Sequence, residues 1–262
     1  MLIATWNVNS VNARLPRLLE FLEMHHPDVL CLQETKVTPD TFPRMDIQLA
    51  GYQTVDHSGG RWAGVALLVR DGLAVSDARQ GLPGEPLPDD ARWVEATVQG
   101  VRVASVYVIN GRTLDDPMFA HKLVFLEAMR RRAASHRDAT PEVPLVICGD
   151  FNIAPADIDV YDPRAFENAT HVTPEERALL AGIIEAGDLV DAYREVWPDA
   201  VQYTWWDYRM GHFHKNLGLR IDLVLASRSL APRLKSCAIA RDFRKGAKPS
   251  DHVPLLLEIA DA

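Results

Sequence analysis

Polar residues close or open a series of apolar, strand-like runs in this chain, and they are scattered from position 7 to position 252. Glu34 closes Val29-Leu30-Cys31-Leu32-Gln33, and Asp150 and Asn152 follow Leu145-Val146-Ile147-Cys148-Gly149. Asp222 sits inside Leu219-Arg220-Ile221-Asp222-Leu223-Val224-Leu225, and Asp251-His252 opens Val253-Pro254-Leu255-Leu256-Leu257. A buried strand offers a charge no favourable environment, so a charge at its end has a partner or a task. Strand ends of this kind, brought together, make a site rich in oxygen ligands with one histidine. A cut anywhere along the chain would separate them, so residues 1–262 are read as one domain, long enough for a single large core.

Strand signals dominate: residues 2–6, 29–34, 65–69, 93–98, 101–108, 145–150, 221–226 and 253–259. Residues 93–98 and 101–108 are joined by Gln99-Gly100, which predicts a hairpin and antiparallel pairing. Leu15, Leu18, Leu19 and Leu22 recur at helical spacing before Pro27, and Phe119, Leu123, Leu126 and Met129 repeat the pattern before Arg130-Arg131-Arg132. Thr173-Pro174-Glu175-Glu176 is a capping box with proline in the first turn, leading a helix that ends near Gly187. Many strands with a few helices suit two packed sheets covered by helices.

Hydrophobic content of 47% and charged content of 24% are ordinary for a globular enzyme. No apolar stretch approaches the roughly 20 residues that cross a bilayer, so no membrane role is expected. Met1-Leu2-Ile3-Ala4-Thr5-Trp6 lacks the basic start of a secretory signal. Cys31 and Cys148 fall in apolar strands and Cys237 stands alone, so neither a disulfide framework nor a zinc site is indicated, and the expected compartment is reducing cytoplasm. A net charge of −8 opposes long-range attraction to nucleic acid. Two basic stretches run the other way: Arg209, His212, His214, Lys215 and Arg220, and then Arg241, Arg244, Lys245 and Lys248. Flanking an acidic centre, they would hold a phosphate backbone while the carboxylates hold a metal.

Magnesium prefers oxygen ligands, which Glu34, Asp150, Asp251 and the amides of Asn7, Asn9 and Asn152 would supply; manganese is the alternative ion. A bound ion would stabilise charge on a phosphate diester, with His252 as the titratable group and Asp222 fixing its tautomer. Two arrangements fit these residues. His252 accepts the proton from water, or Asp150 accepts it and His252 stabilises the phosphorane. Each residue alone also has a plain reading: Glu34 as partner of Lys36, Asp150-Phe151-Asn152 as a turn, Trp205 and Trp206 as core. His25, His26, His57 and His171 read as structural or exposed. Tyr203-Thr204-Trp205-Trp206-Asp207-Tyr208-Arg209 sets an aromatic pair beside tyrosine and arginine, which suits stacking on a base or sugar and contact with phosphate.

Taken together, Trp6-Asn7-Val8-Asn9, Leu32-Gln33-Glu34-Thr35-Lys36, Gly149-Asp150-Phe151-Asn152, Trp205-Trp206-Asp207-Tyr208-Arg209, Leu217-Gly218-Leu219-Arg220-Ile221-Asp222 and Pro249-Ser250-Asp251-His252 resemble the exodeoxyribonuclease III family of abasic-site endonucleases. That family lies within the endonuclease/exonuclease/phosphatase superfamily. The resemblance implies an α+β, DNase I-like fold: a four-layered α/β/β/α sandwich of two mainly antiparallel sheets covered by helices. It implies a magnesium-dependent DNA-repair hydrolase that incises duplex DNA 5′ to abasic sites, with 3′→5′ exonuclease and 3′-end-cleaning activity, acting as a cytoplasmic monomer. By position, Asn7, Glu34, Asp150, Asn152 and Asp251 match the metal site, and Tyr107, Asp150, Asn152, Asp222 and His252 the catalytic set. Arg92 and Lys122 fall where relatives contact the DNA backbone. Trp205, Leu219 and Ile221 match a pocket for a flipped-out abasic sugar, and Trp206, Tyr208 and Arg209 complete the expected DNA surface. Many relatives carry proline where this chain has Ile109, and some carry tryptophan at Leu219. A phosphatase of small or lipid phosphates and a binding module without catalysis are the competing readings; the Trp205–Arg209 and Leu217–Asp222 segments argue against the first, and the retained acidic residues against the second.

Overall fold

The computed structural model describes residues 1–261, and its apolar runs pair into two six-stranded sheets. The first holds Leu2–Asn7 (β1), Val29–Gln33 (β2), Tyr52–His57 (β3), Val65–Arg70 (β4), Leu234–Ile239 (β11) and Leu255–Ile259 (β12), in the order β11-β12-β1-β2-β4-β3. The second holds Val75–Gln80 (β5), Trp93–Val98 (β6), Val101–Tyr107 (β7), Leu145–Asp150 (β8), Leu189–Asp191 (β9) and Asp222–Ser227 (β10), in the order β5-β6-β7-β8-β10-β9. One pair in each sheet is parallel, β1 with β2 and β7 with β8, and the other pairs are antiparallel.

The inner strands are apolar on both faces because both faces are covered. In β2, Val29 and Cys31 point between the sheets, while Leu30 and Leu32 point outward under Val11–His25 (α1) and Arg44–Leu49 (α2). In β8, Val146 and Cys148 join the same inter-sheet core, and Ile147 packs outward against Pro117–Ala139 (α3) and Pro174–Ala186 (α4). The period-two alternation thus feeds three stacked cores and yields the four-layered sandwich. Two short helices, Ala192–Val196 (α5) and His212–Lys215 (α6), sit in the connections.

Local signals are realised in detail. Gln99 and Gly100 both have positive φ, the conformation of a type I′ turn, and join β6 to β7 in register. Thr173 and Glu176 form the reciprocal capping box of α4, which ends at Gly187. Gly149 is required by close approach: a Cβ there would lie 1.9 Å from the carbonyl oxygen of Val106 on the neighbouring parallel strand. Side chains are excluded at that point, so β7 and β8 run together up to the register pair Tyr107–Asp150. Across β8 the antiparallel partner of Asp150 is Asp222.

Candidate active site

Three neighbouring strands of the second sheet therefore end on one line, with Tyr107, Asp150 and Asp222 side by side. The first sheet brings Asn7 at the end of β1, Glu34 just past β2, and Asp251-His252 just before β12 to the same edge. Together with Asn110, Asn152, His171, Trp205 and Ile221, five of these residues line a cavity of about 170 Å³; Asn7 and Asp222 stand behind its wall. A larger cavity of about 610 Å³ beside Pro163 and Val172 contains none of this cluster, so the chemistry belongs to the smaller one.

The buried Asn7 amide holds the two halves together. Its Nδ2 donates to Glu34 Oε1 at 2.7 Å and to Asp150 Oδ2 at 2.9 Å, while its Oδ1 accepts the Asn9 amide at 3.0 Å. Glu34 also pairs with Lys36 at 2.6 Å, as the plain reading expects, and the same side chain lines the cavity. Asp150 Oδ1 accepts the Asn152 backbone amide at 2.9 Å, and Asn152 is fixed by Val108 O at 2.9 Å and Asn110 Nδ2 at 3.1 Å. The Ile109 position does not loosen this loop: Ile109 is wholly buried in the core under α3, and Asn110 ties it to Asn152.

His252 presents Nδ1 to Asp222 Oδ2 at 2.8 Å and lies 3.7 Å from Asp150 Oδ2 through Nε2. Burial on its own would lower the imidazole pKa. The Asp222 and Asp150 carboxylates outweigh it and raise His252 to about 10, so the ring is cationic at neutral pH. Burial raises Asp150 to about 7; His252 opposes the shift, and Asp222 and Glu34 add to it. Burial and the carboxylates of Glu34 and Asp150 push Tyr107 well up, keeping its hydroxyl protonated. Asp251 is held low despite its burial, by His252 and by donors on Asn9 and Trp205 at 3.0 and 3.1 Å.

Glu34, Asp150 and His252 offer ligand atoms within 4.8 Å of one another. Two carboxylates held close together by one amide at the edge of a cavity are a donor set that a hard divalent cation fits, because its charge offsets theirs. Asp251 lines the same cavity outside this trio. Asn7 acts as a bridge between the carboxylates, its oxygen already taken by Asn9.

Several expected DNA contacts are corrected by burial. Lys122 is wholly buried: its Nζ donates to Asn152 O at 2.7 Å and Thr170 Oγ1 at 3.1 Å and pairs with the buried Glu176. A cation with no exposed surface cannot meet a DNA backbone; this one pins the Asn152 loop to α4. Arg92, 6% exposed, pairs with Asp90 and stacks 4.8 Å over the Tyr107 ring, so it positions the tyrosine from behind. Trp206 is wholly buried with Tyr203, Phe213 and Val253, and Leu219 is buried behind Ile221 and Trp205. Trp205 and Ile221 do line the cavity, while Tyr208 and Arg209 are exposed beside it, Arg209 pairing with Asp207. Arg220 leaves the basic surface too, buried between Asp159 and Asp191. His171 is structural, as its sequence setting suggests, with Nδ1 donating to Asn152 O at 2.5 Å, and it also lines the cavity. Its flanking sequence carries no strand-end signal that would have marked it.

The sequence profile of the endonuclease/exonuclease/phosphatase family matches residues 4–252. The chain belongs to that family. Exodeoxyribonuclease III of Haemophilus influenzae is 33% identical over 98% of this chain and 99% of that protein. Among solved structures, the 3′-5′ exonuclease NExo from Neisseria meningitidis superposes with a TM-score of 0.94 at 39% identity, covering 99% of each chain. An AP endonuclease from Archaeoglobus fulgidus gives 0.93 at 35% identity with the same coverage. This member of the endonuclease/exonuclease/phosphatase family is thus a hydrolase of the exodeoxyribonuclease III type, on the four-layered fold its sequence implied.

Proposed function

We propose that the chain is a magnesium-dependent DNA-repair phosphodiesterase that acts on duplex DNA at 3′ ends and 5′ to abasic sites. The observation that carries this reading is the line from Asp222 through His252 to Asp150 and on, through Asn7, to Glu34, set in a cavity with room for one sugar-phosphate. Relatives named for 3′ phosphatase, exonuclease and AP endonuclease activity support it. No helix among the described residues is long and apolar enough to cross a membrane, and the three buried free cysteines suit a reducing cytoplasm.

Glu34 and Asp150 would hold the cation, which when bound stabilises negative charge on the phosphoryl oxygens. Asp150, whose Oδ2 faces His252 Nε2 at 3.7 Å across the cavity wall, is the carboxylate placed to take the proton of the attacking water. His252, raised to about 10, is already protonated and so serves as a donor to the charge that develops on phosphorus, its ring oriented by Asp222. Of the two arrangements that fit the sequence, the 2.8 Å contact of Asp222 with His252, which favours the charged ring, supports the second. Tyr107 and Asn152 complete the set of groups facing the scissile phosphate, and Trp205 and Ile221 bound the sugar.

The test is cleavage of three duplexes, bearing a central abasic analogue, a 3′ phosphate and a recessed 3′ hydroxyl, with magnesium and with chelator. Magnesium-dependent cutting of the first and trimming of the others is expected. Hydrolysis of a small soluble phosphoester with every duplex left intact would replace this reading by the phosphatase one.

A further inference from the structure

Four arginines among the described residues are buried, and three of them have carboxylate partners. Arg102 pairs with Glu95 at 2.7 Å, Arg220 with Asp159 at 2.7 Å and Asp191 at 2.8 Å, and Arg92 with Asp90 at 2.9 Å. Arg244 is the exception. It is 8% exposed, yet no carboxylate lies within ion-pair distance; its one protein bond runs from Nη2 to Trp206 O at a long 3.4 Å, and its buried Nε has no partner. Its guanidinium lies over the Tyr208 ring at 4.7 Å. Burial pushes its pKa down, as expected of a cation without a counter-charge.

Neighbouring carboxylates are already engaged. Asp207 pairs with Arg209, Asp242 with Lys245, and Asp251 accepts from Asn9 and Trp205. A buried cation is costly unless an anion meets it, and here the protein supplies none. What it supplies is space: Arg244 opens onto a cavity of about 420 Å³, also lined by Tyr208, His212, His214, Lys245 and the Arg209-paired Asp207, where the two basic stretches of the sequence converge. That cavity adjoins the active site. Trp206, whose carbonyl Arg244 touches, donates its amide to Asp251 O at 3.0 Å, and Tyr208 donates to Pro249 O at 2.8 Å, two residues before Asp251.

We propose that this cavity is a second phosphate subsite, in which Arg244, with Lys245 at the rim, takes a non-scissile phosphate of the DNA strand whose neighbouring phosphodiester is hydrolysed. The planar guanidinium fork matches two phosphate oxygens, and in a chain of net charge −8 Arg244 offers a polyanionic substrate one cation that no carboxylate of the protein neutralises. This inference rests on the DNA reading above.

The experiment measures duplex binding in chelator against salt for wild type, Arg244→Met and Arg244→Lys, with KM and kcat in magnesium and thermal midpoints for each. Losing one phosphate contact makes log K against log salt shallower by about 0.9. Arg244→Met is expected to show that change, a KM raised about tenfold and a kcat within about twofold of wild type, while Arg244→Lys keeps the slope. An unchanged slope and KM in a folded Arg244→Met variant overturns the proposal. So does equal loss in both variants tracking their melting points, which marks a packing role over Tyr208. Stabilisation of wild type by inorganic phosphate without any slope change assigns a free-anion site and likewise overturns the DNA assignment. If Arg244→Met does not fold, Lys245→Gln carries the same slope test. Wild type that neither binds nor cuts duplex defeats the preceding section's reading; wild type that cuts while Arg244→Met is unaffected defeats this one alone.

Discussion

Nδ1 of His252 lies 2.8 Å from Oδ2 of Asp222, on a ring whose other nitrogen faces Asp150. The pair fixes both the tautomer and the charge of the histidine. With Asp222→Asn, the His252 pKa falls back toward its ordinary 6.5 and turnover at pH 7.5 drops, by about 10²-fold or more on the scale of acid–base groups. The rate–pH profile checks this. Because the folded-state pKa is raised, the pair's contribution to stability is full below about 6.5 and is lost as pH rises through about 10. Urea unfolding in chelator across that window should show wild type losing stability and Asp222→Asn losing much less.

Glu34→Ala removes one of the two carboxylates bridged by Asn7. The concentration of magnesium giving half-maximal rate should rise at least about tenfold while duplex binding in chelator stays near wild type. A magnesium titration beside an anisotropy titration separates the two effects.

Lys122 and Glu176 are both wholly buried, so Lys122→Met strands a carboxylate in the core. Breaking such a pair by removing one partner costs about 3–5 kcal/mol. A fall in thermal midpoint, largely restored by adding Glu176→Gln, is expected; a backbone contact would instead have weakened DNA binding without changing the melt.

His171 is lowered to about 4, mainly by burial and then by Lys122. The unfolded chain therefore takes up a proton between about pH 6.5 and 4 that the folded protein refuses, and stability falls as pH drops through that window. His171→Gln should flatten this part of the stability–pH curve in denaturant titrations.

The four strands that the hydrophobic pattern does not mark are β3, β5, β9 and β11, and these are the four edges of the two sheets. An edge strand is covered on fewer sides, so its sequence need not be apolar: β5 reads Val-Ser-Asp-Ala-Arg-Gln and is almost wholly exposed. The inner strands were legible because both faces are buried. Glu34, Asp150, Asp222 and His252 were legible for the related reason that a charge against such a run stands out. Lys122, Arg92 and Trp206 misled because residue type alone does not say which way a side chain turns; a lysine beside the site serves equally as a buried strut. Arg244 and Arg209 look alike in sequence, and only the packing separates the buried cation from the exposed one.

The central claim is that the Glu34–Asp150–His252 cluster performs cation-dependent phosphodiester hydrolysis on DNA. Single-turnover incision of an abasic duplex by wild type and by His252→Asn, with magnesium and with chelator, tests it most directly. The account expects wild-type incision immediately 5′ to the lesion only with magnesium, and a loss of several orders of magnitude, beyond the roughly 10²–10⁴-fold of a single acid–base group, in the variant. Incision that persists in chelator, or near-normal turnover by His252→Asn, would contradict it.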